Sequence, residues 1–169
     1  GQIACARELA IFVAPTINSY KRYAEASWAP TTLAWGYDNR TCGFRIVGHG
    51  NALRAETRIP GADSNPYLAF AALIASGLYG IENELELPAA FEGNAYESDV
   101  NRFPASLREA LAALEQSTMA RAALGDLVGL PFLCALVRRM IVQGREETAA
   151  VDAALDAEFP VHDPDASLV

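Results

Sequence analysis

The sequence predicts an α+β fold, in which helices cover a small sheet in the first third of the chain. Three short stretches between residues 31 and 59 are rich in β-branched and aromatic residues or alternate in polarity, as strands do. Apolar residues recur at helical spacing before these stretches and again after residue 65. Hydrophobic residues make up 51% of the 169 residues, which is enough apolar material for the core of a globular domain.

The first half of the chain is expected to hold one helix and three strands. The helix covers residues 2–13 and ends before Pro15, because proline does not continue a helix. The predicted strands are Thr31–Trp35, Thr41–Val47 and Ala52–Ile59. Turn-forming residues at 38–39 and 48–51 separate them, and we expect these short strands to pair antiparallel.

Two further helices follow the strands. Asp63 or Ser64 is expected to cap a helix over residues 66–82, with Pro66 in its first turn. This stretch is apolar but too short to span a membrane, so it predicts a helix buried in the core. Ser106 is expected to cap a helix from Leu107 to about Gln116.

Charge is divided unevenly along the chain, which has a formal net charge of −8. Residues 1–58 hold seven Lys or Arg and four Asp or Glu, whereas the remainder holds six basic and seventeen acidic residues. The overall acidity argues against nucleic acid or an anionic membrane as a partner. The arginine-rich first third instead predicts a local site for an anion.

The three cysteines are expected to be free thiols. Cys5, Cys42 and Cys134 are odd in number, lie far apart and have no metal-binding spacing. Buried, unpaired thiols are typical of a protein of the reducing cytoplasm.

The candidate site lies on the third predicted strand. Successive side chains of a strand point to opposite faces, so Arg54, Glu56 and Arg58 share one face and the mostly apolar Leu53, Ala55, Thr57 and Ile59 share the other. Arg40 and Arg45 lie on or beside the neighbouring strand. Guanidinium groups bind phosphate or carboxylate oxygens in pairs, and a carboxylate among them suits Mg²⁺ or Mn²⁺ shared with phosphate. The alternative is a solvated edge strand that carries Arg–Glu pairs.

Several motifs resemble the C-terminal part of the glutamine synthetase catalytic domain. They are Ala14–Arg22, Asn39–Thr41 with Arg45, Arg54–Arg58 and Asn65–Ala69. The order and spacing of these motifs match the family over residues 1–126. The resemblance implies that these residues are a fragment of that α+β catalytic domain, whose fold is of the glutamine synthetase/guanido kinase type. The resemblance implies an ATP-dependent ligase: ATP phosphorylates the γ-carboxylate of glutamate, and a nitrogen nucleophile displaces the phosphate.

The resemblance also implies a role for each matching residue. Arg22 and Arg58 correspond to the arginines that hold glutamate. Arg40 and Arg45 correspond to those that contact the ATP phosphates and the transferring phosphoryl group, and Arg54 faces the phosphates. Glu56 corresponds to a carboxylate ligand of the Mg²⁺ or Mn²⁺ on the ATP side.

One departure from the family concerns the acceptor. Ammonia-using members carry a glutamate a few residues after the motif that ends at Arg22, and Trp28 occupies that place here. An indole packs against alkyl groups and faces cations, which favours a bulkier amine as substrate. The segment 59–63 also resembles the γ-glutamylpolyamine and γ-glutamyl-monoamine ligases. Two alternatives remain: ammonia as substrate, with Glu25 in place of the lost carboxylate, and a non-catalytic module.

The family implies parts that this chain does not contain. Its remaining metal ligands and its N-terminal domain lie upstream of Gly1, so we expect about a third of a subunit that is inactive alone. Family members form rings, which implies a homo-oligomer. Residues 127–159 depart from the family and are expected to be a divergent helical segment, and 160–169 a disordered tail. We expect a cytoplasmic protein.

Overall fold

The computed structural model describes residues 1–23, 27–124, 134–135, 137–139 and 141–144. Four α-helices and three strands have bounds within these residues, and the described residues between 134 and 144 are also helical. The helices are α1 (Ala10–Val13), α2 (Pro66–Glu82), α3 (Leu107–Gln116) and α4 (Thr118–Leu124). The strands are β1 (Thr32–Tyr37), β2 (Cys42–Val47) and β3 (Arg54–Thr57). The α+β class is confirmed, whereas most of the predicted segment 127–159 and all of 160–169 lie outside the described residues.

The first helix is shorter than predicted. Residues 2–9 form consecutive turns, and a regular α-helix exists only at α1. The reason is that the backbone hydrogen bonds of this stretch do not follow one helical pattern. The Cys5 and Leu9 amides donate to carbonyls four residues back, whereas the Ala6 amide donates to the carbonyl three residues back. Burial of Cys5 and Leu9 nevertheless matches the predicted apolar face.

The sheet is mixed rather than antiparallel. Its strand order is β1-β2-β3, with β1 parallel to β2 and β2 antiparallel to β3. The β1–β2 connection does not form a hairpin. Asp38 has a left-handed conformation (φ 47°), and its amide donates to the Ile46 carbonyl, which continues the parallel pairing by one residue. The side-chain amide of Asn39 donates to the carbonyls of Phe91 and Gly93.

Helices α2 and α3 have the predicted bounds, but the cap of α2 differs. Asn65 Oδ1 accepts hydrogen bonds from the amides of Tyr67 and Leu68, at 3.0 and 3.4 Å. The two residues predicted for this role have other partners. The Asp63 carboxylate accepts from Ser19 Oγ at 2.5 Å, and the Ser64 hydroxyl donates to the Gly61 carbonyl at 2.7 Å. The Ser106 cap of α3 is confirmed by its bond to the Glu109 amide.

The core lies between the sheet, the N-terminal segment and the helices. Its largest contributors are Ile11, Phe12, Leu33, Phe44, Ile59, Phe103, Leu107, Leu111 and Leu114. The predicted apolar face of β3 is covered only at Ile59, whereas Leu53 and Ala55 are exposed, because the described helices do not reach that end of the sheet. All three cysteines are free and buried, as predicted. Within the described chain, no helix is long and apolar enough to cross a membrane.

Candidate active site

A cluster of charged side chains joins β2 and β3. Arg45 and Glu56 lie directly opposite each other in the antiparallel register, and Arg45 Nη1 donates to Glu56 Oε2 at 3.2 Å. On the other side of the carboxylate, Arg54 Nε donates to Glu56 Oε1 at 3.1 Å. Glu56 is therefore held between two guanidinium groups, as the alternation of β3 predicts.

Asp38 is a second carboxylate partner of Arg45. The guanidinium Nε donates to Asp38 Oδ1 at 3.0 Å, and Nη2 contacts the same oxygen. This bond holds the pKa of the Asp38 carboxyl below its usual value. The same bond raises the pKa of Arg45, against a smaller opposing effect of burial. The two carboxylates therefore fix the direction of the Arg45 fork.

Arg58 carries an unused donor beside this cluster. Its backbone amide donates to the Gly43 carbonyl at 2.8 Å, which continues the β2–β3 pairing beyond the strand. Its Nη1 atom is buried and has no hydrogen-bond partner among the described residues. A buried guanidinium nitrogen without an acceptor is costly, so its position suits a ligand that brings an oxygen.

Arg22 belongs to a 3₁₀ helix over Ile17–Tyr23, and its side chain reaches the residues that directly follow β3. Its Nη1 donates to the Ile59 carbonyl at 2.6 Å and its Nη2 to the Arg58 carbonyl at 3.1 Å. The neighbouring Tyr23 hydroxyl donates to the same Ile59 carbonyl, and its ring lies 5.6 Å from the Arg22 guanidinium carbon. Burial raises the pKa of Tyr23 to about 12. The Arg22 side chain is thus anchored to the backbone of Arg58 and Ile59.

Arg40 is exposed in the connection between β1 and β2. The residues on either side fix its backbone: Asn39 Oδ1 accepts from the Thr41 amide and hydroxyl, and Thr41 Oγ1 accepts from the Ala95 amide. The Arg40 guanidinium makes no hydrogen bond or ion pair within the described part of the chain. Its charge makes a small contribution to the lowered pKa of Asp38, after the larger effects of Arg45.

Trp28 lies apart from the arginine cluster, on a neighbouring cavity. The cavity has a volume of about 760 Å³, and its aromatic lining consists of Tyr20, Tyr23, Trp28, Tyr96 and Phe103. Trp28 is 81% exposed and has a left-handed backbone conformation (φ 60°), so it forms an open wall of the cavity. Tyr23 connects the two regions, because it lines the cavity and contacts Arg22. Glu25 lies outside the described residues.

The carboxylate of Glu56 could supply one ligand of a metal site. Within the ranges that the structure describes, no group of three or more His, Cys, Asp or Glu side chains could hold a metal ion. Magnesium is usually held by one or two carboxylates together with phosphate and water oxygens. Glu56 can supply one such ligand through its remaining lone pairs, and the other ligands would have to come from substrate, water or further protein residues.

Two residues of the site were missed by the sequence reasoning. Asp38 appears there only as a turn former, and Asn39 only as a turn former and as part of a family motif, whereas in the structure Asp38 orients Arg45 and Asn39 holds the segment that carries Arg40. A charged turn residue seven residues from a candidate arginine could have indicated the first role. The second role depends on contacts with residues 91 and 93, which sequence spacing does not reveal.

Comparison with known families agrees with this geometry. Residues 1–139 match the family "Glutamine synthetase, catalytic domain". The chain belongs to this family. The match includes the 3₁₀ helix, all three strands and the four helices described above.

Two curated relatives place the chain near the γ-glutamyl-amine ligases of the family. Gamma-glutamylethanolamide synthetase GlnA4 of Streptomyces coelicolor is 52% identical over 92% of this chain and 32% of its own length. Glutamate–isopropylamine ligase of a Pseudomonas species is 50% identical over 72% of this chain and 27% of its own length. The chain therefore spans about a third of the length of these relatives.

A solved structure shares the fold. The chain of a GmaS/ADP complex superposes with a TM-score of 0.76 and is 32% identical, with 86% of this chain and 35% of that chain covered. This agreement confirms that the sheet and helices belong to the glutamine synthetase catalytic fold.

Proposed function

We propose that this chain supplies the arginine-rich part of the active site of an ATP-dependent γ-glutamyl-amine ligase. In the first step an oxygen of the glutamate γ-carboxylate attacks the γ-phosphorus of ATP, which gives γ-glutamyl phosphate and ADP. In the second step the amine nitrogen attacks the acyl carbon, phosphate leaves with the original carboxylate oxygen, and the nitrogen loses a proton. The observation that carries the proposal is the buried, unpartnered Arg58 Nη1 beside the Arg45–Glu56–Arg54 cluster.

Phosphoryl transfer suits this cluster because it depends mainly on positioning and on neutralising charge. Arg40 and Arg45 are proposed as the catalytic residues that contact the ATP phosphates and the transferring group, and Arg54 as a third phosphate ligand. Asp38 and Glu56 keep the Arg45 fork in one orientation before the anion arrives. The exposed Arg40 can move to the phosphates, because only its backbone is fixed.

Arg22 and Arg58 are proposed to bind glutamate. The carbonyl bonds of Arg22 use one hydrogen of each terminal nitrogen, and a guanidinium has five N–H donors in all. The remaining donors of Arg22 and the free Nη1 of Arg58 can bind carboxylate oxygens. The bond from Arg22 Nη2 to the Arg58 backbone carbonyl holds the Arg22 side chain beside the chain segment that carries Arg58.

Glu56 is proposed as the ligand of a Mg²⁺ or Mn²⁺ ion on the ATP side. When bound, such an ion would neutralise the phosphate oxygens and orient them for transfer. The arginines on either side of Glu56 hold the carboxylate in place.

Trp28 is proposed to bind the acceptor amine. The relatives named above make ethanolamide and isopropylamide products, and both acceptors carry a small carbon body on the amine. The aromatic cavity beside Arg22 offers ring faces for such a body and for its ammonium form. Ammonia is the second candidate for the acceptor substrate. It is favoured by the match to the glutamine synthetase family, because glutamine is the amide that glutamate forms with ammonia.

The whole enzyme is larger than this chain. Because the chain covers about a third of its relatives, we propose that it does not turn over alone. Membership of the glutamine synthetase family supports the further proposal that it acts within a homo-oligomer. A non-catalytic role is the third candidate, and it predicts that the full-length protein lacks further metal-binding carboxylates. The three unpaired thiols support a cytoplasmic location.

The direct test is an acceptor panel with the full-length protein. Glutamate and ATP are supplied together with ammonium, ethylamine, ethanolamine, isopropylamine or putrescine, and the γ-glutamyl product is measured by mass spectrometry. We expect at least one amine to give a higher kcat/KM than ammonium. A preference for ammonium over every amine would contradict the acceptor assignment, and no product with any acceptor would contradict the ligase itself.

A further inference from the structure

The 3₁₀ helix that carries Arg22 is bound at both ends to the chain segment that follows β3. At the end of the helix, the side chains of Arg22 and Tyr23 donate to the carbonyls of Arg58 and Ile59. At its beginning, the contact is made by the carboxylate of Asp63. The hydrogen bonds within a 3₁₀ helix have poorer geometry than those of an α-helix. The position of this short helix therefore depends on its contacts with the segment after β3.

Two hydroxyl groups converge on one oxygen of Asp63. Ser19 Oγ donates to Asp63 Oδ2 at 2.5 Å, and Thr16 Oγ1 donates to the same oxygen at 3.3 Å. The two hydroxyl residues also bind each other: the Thr16 amide donates to Ser19 Oγ at 3.0 Å, and the Ser19 amide donates to Thr16 Oγ1 at 3.1 Å. A hydroxyl that donates to a carboxylate makes a charge-assisted bond, which is stronger than a bond between neutral groups. Because Ser19 is buried, this bond is shielded from bulk water.

A tight turn holds Asp63 against the 3₁₀ helix. The Ser64 amide and hydroxyl both donate to the Gly61 carbonyl, at 3.2 and 2.7 Å, and close the turn. The Gly61 amide donates to the Val13 carbonyl at 3.3 Å, which fixes the turn to the core. A β-carbon built at Gly61 would lie 2.4 Å from Asp63 Oδ1, so the carboxylate occupies the space that a side chain at position 61 would need. The turn thus directs the carboxylate toward the helix.

We propose that Asp63 is a positioning residue for glutamate binding. Its bonds to Ser19 and Thr16 hold the 3₁₀ helix where Arg22 lies beside the segment that carries Arg58. Arg22 follows Ser19 by three residues, which is one turn of a 3₁₀ helix, so a displacement at Ser19 reaches Arg22 within a single turn. Asp63 acts through Ser19 and does not itself contact the substrate. The inference rests on the proposed function, in which Arg22 and Arg58 bind glutamate.

The Asp63→Ala substitution in the full-length enzyme tests this role. We expect the KM for glutamate to rise by about fivefold, which corresponds to the loss of one hydrogen bond of ordinary strength. The KM for ATP and kcat are expected to change by less than about twofold, since the Arg45–Glu56 pair is left intact. Steady-state kinetics with each substrate varied in turn measure these values. Asp63→Asn keeps an oxygen that accepts from Ser19, so it should recover most of the lost affinity.

Two further variants separate positioning from general stability. Ser19→Ala removes the same bond from the side of the helix, so it should raise the KM for glutamate as Asp63→Ala does, and it serves as the test if Asp63→Ala does not fold. The double variant should have a KM no higher than that of either single variant, because both remove one shared contact. Asn65→Ala is the matched control: it lies two residues from Asp63 and removes the cap of α2. It should lower the Tm without raising the KM for glutamate.

The outcomes distinguish the inference from the function on which it rests. An unchanged KM for glutamate in Asp63→Ala and Ser19→Ala, an equal rise in Asn65→Ala, or an equal rise in Asp63→Asn would overturn the positioning role and leave the ligase intact. A wild-type enzyme that forms no γ-glutamyl product would overturn the proposed function, and the inference with it.

Discussion

Arg45 and Glu56 face each other across β2 and β3, with Arg45 Nη1 at 3.2 Å from Glu56 Oε2. Each strand contributes one charge, and the antiparallel register brings the two charges into contact. Asp38 binds the same guanidinium from the β1–β2 connection. The position of Arg45 is therefore determined by three separate segments of the chain, which is the kind of preorganisation that phosphoryl transfer requires.

The Glu56→Gln substitution is expected to weaken metal use more than folding. The amide keeps hydrogen-bonding capacity toward the arginines but lacks the charge that a divalent cation needs. In the full-length enzyme we expect kcat to fall by roughly 10²-fold, and the Mg²⁺ concentration for half-maximal activity to rise. Kinetics over a Mg²⁺ titration measure both quantities. Glu92→Gln, at an exposed position, is the control, and a Glu56→Gln enzyme with the same Mg²⁺ dependence as this control would remove Glu56 from the metal site.

The Arg58→Lys substitution tests the unpartnered guanidinium nitrogen. Lysine keeps the charge but cannot reproduce the two-pronged geometry of arginine toward a carboxylate. We expect the KM for glutamate to rise by about tenfold or more, which corresponds to the loss of one charge-assisted hydrogen bond. Steady-state kinetics with varied glutamate measure this effect, and Arg108→Lys is the matched control. An unchanged glutamate KM would show that Arg58 does not bind the substrate.

Replacement of Asp38 with Asn is expected to make stability less dependent on pH. The bond to Arg45 lowers the pKa of Asp38 in the folded state below its usual value of 3.8, so the stabilisation is present above pH 3.8 and is lost as pH falls through the folded-state pKa. The wild type should therefore have the higher Tm at pH 6, and the difference should shrink as pH falls toward 3. Thermal unfolding at several pH values measures this, and a Tm difference that is constant with pH would contradict the ion pair.

The Trp28→Glu substitution is expected to change the acceptor. It restores a carboxylate at the place where ammonia-using members of the family carry one, and it removes the aromatic wall of the cavity. The ratio of kcat/KM for ammonium to that for the preferred amine should rise by tenfold or more, about 1.4 kcal/mol. Trp28→Phe should keep the amine preference. Since Trp28 is 81% exposed, neither variant should unfold the protein, and an unchanged ratio would exclude Trp28 from the acceptor site.

The Asn65→Ala substitution should destabilise the protein by about 1 kcal/mol, because it removes the side-chain cap of α2. Asn65→Asp should preserve stability, since its carboxylate can accept the same two amide hydrogens at the positive end of the helix. Urea unfolding measures both variants. If Asn65→Ala and Asn65→Asp lose equal stability, the capping contact is not the source of the effect.

Local patterns in the sequence predicted the parts of the fold that local physics determines. The bounds of α2 and α3 follow from periodicity together with capping residues and Pro66, and the shared face of Arg54 and Glu56 follows from strand alternation. The parallel pairing of β1 with β2 does not, because a connection of four residues between two predicted strands is typical of a hairpin. The cap at Asn65 was missed for a related reason: Asp63, the better candidate by type, is engaged by Ser19.

The proposed site shows the same division. Alternation on β3 and the resemblance to the family together indicated every arginine that the structure brings near Glu56 or Arg58. The contact of Asp38 with Arg45 could not be predicted in the same way, because it depends on the path of the β1–β2 connection. One face of α2 was wrongly predicted as buried, because an apolar sequence does not show which sides of a helix its neighbours cover.

The central claim is that glutamate is activated as an acyl phosphate. The most direct measurement supplies the full-length enzyme with ATP, an amine and glutamate labelled with ¹⁸O in its γ-carboxylate, and analyses the released phosphate by mass spectrometry. An oxygen transferred through γ-glutamyl phosphate must leave with phosphorus, so the phosphate is predicted to carry one ¹⁸O for each amide formed. Phosphate without ¹⁸O, formed alongside the amide product, would contradict the account.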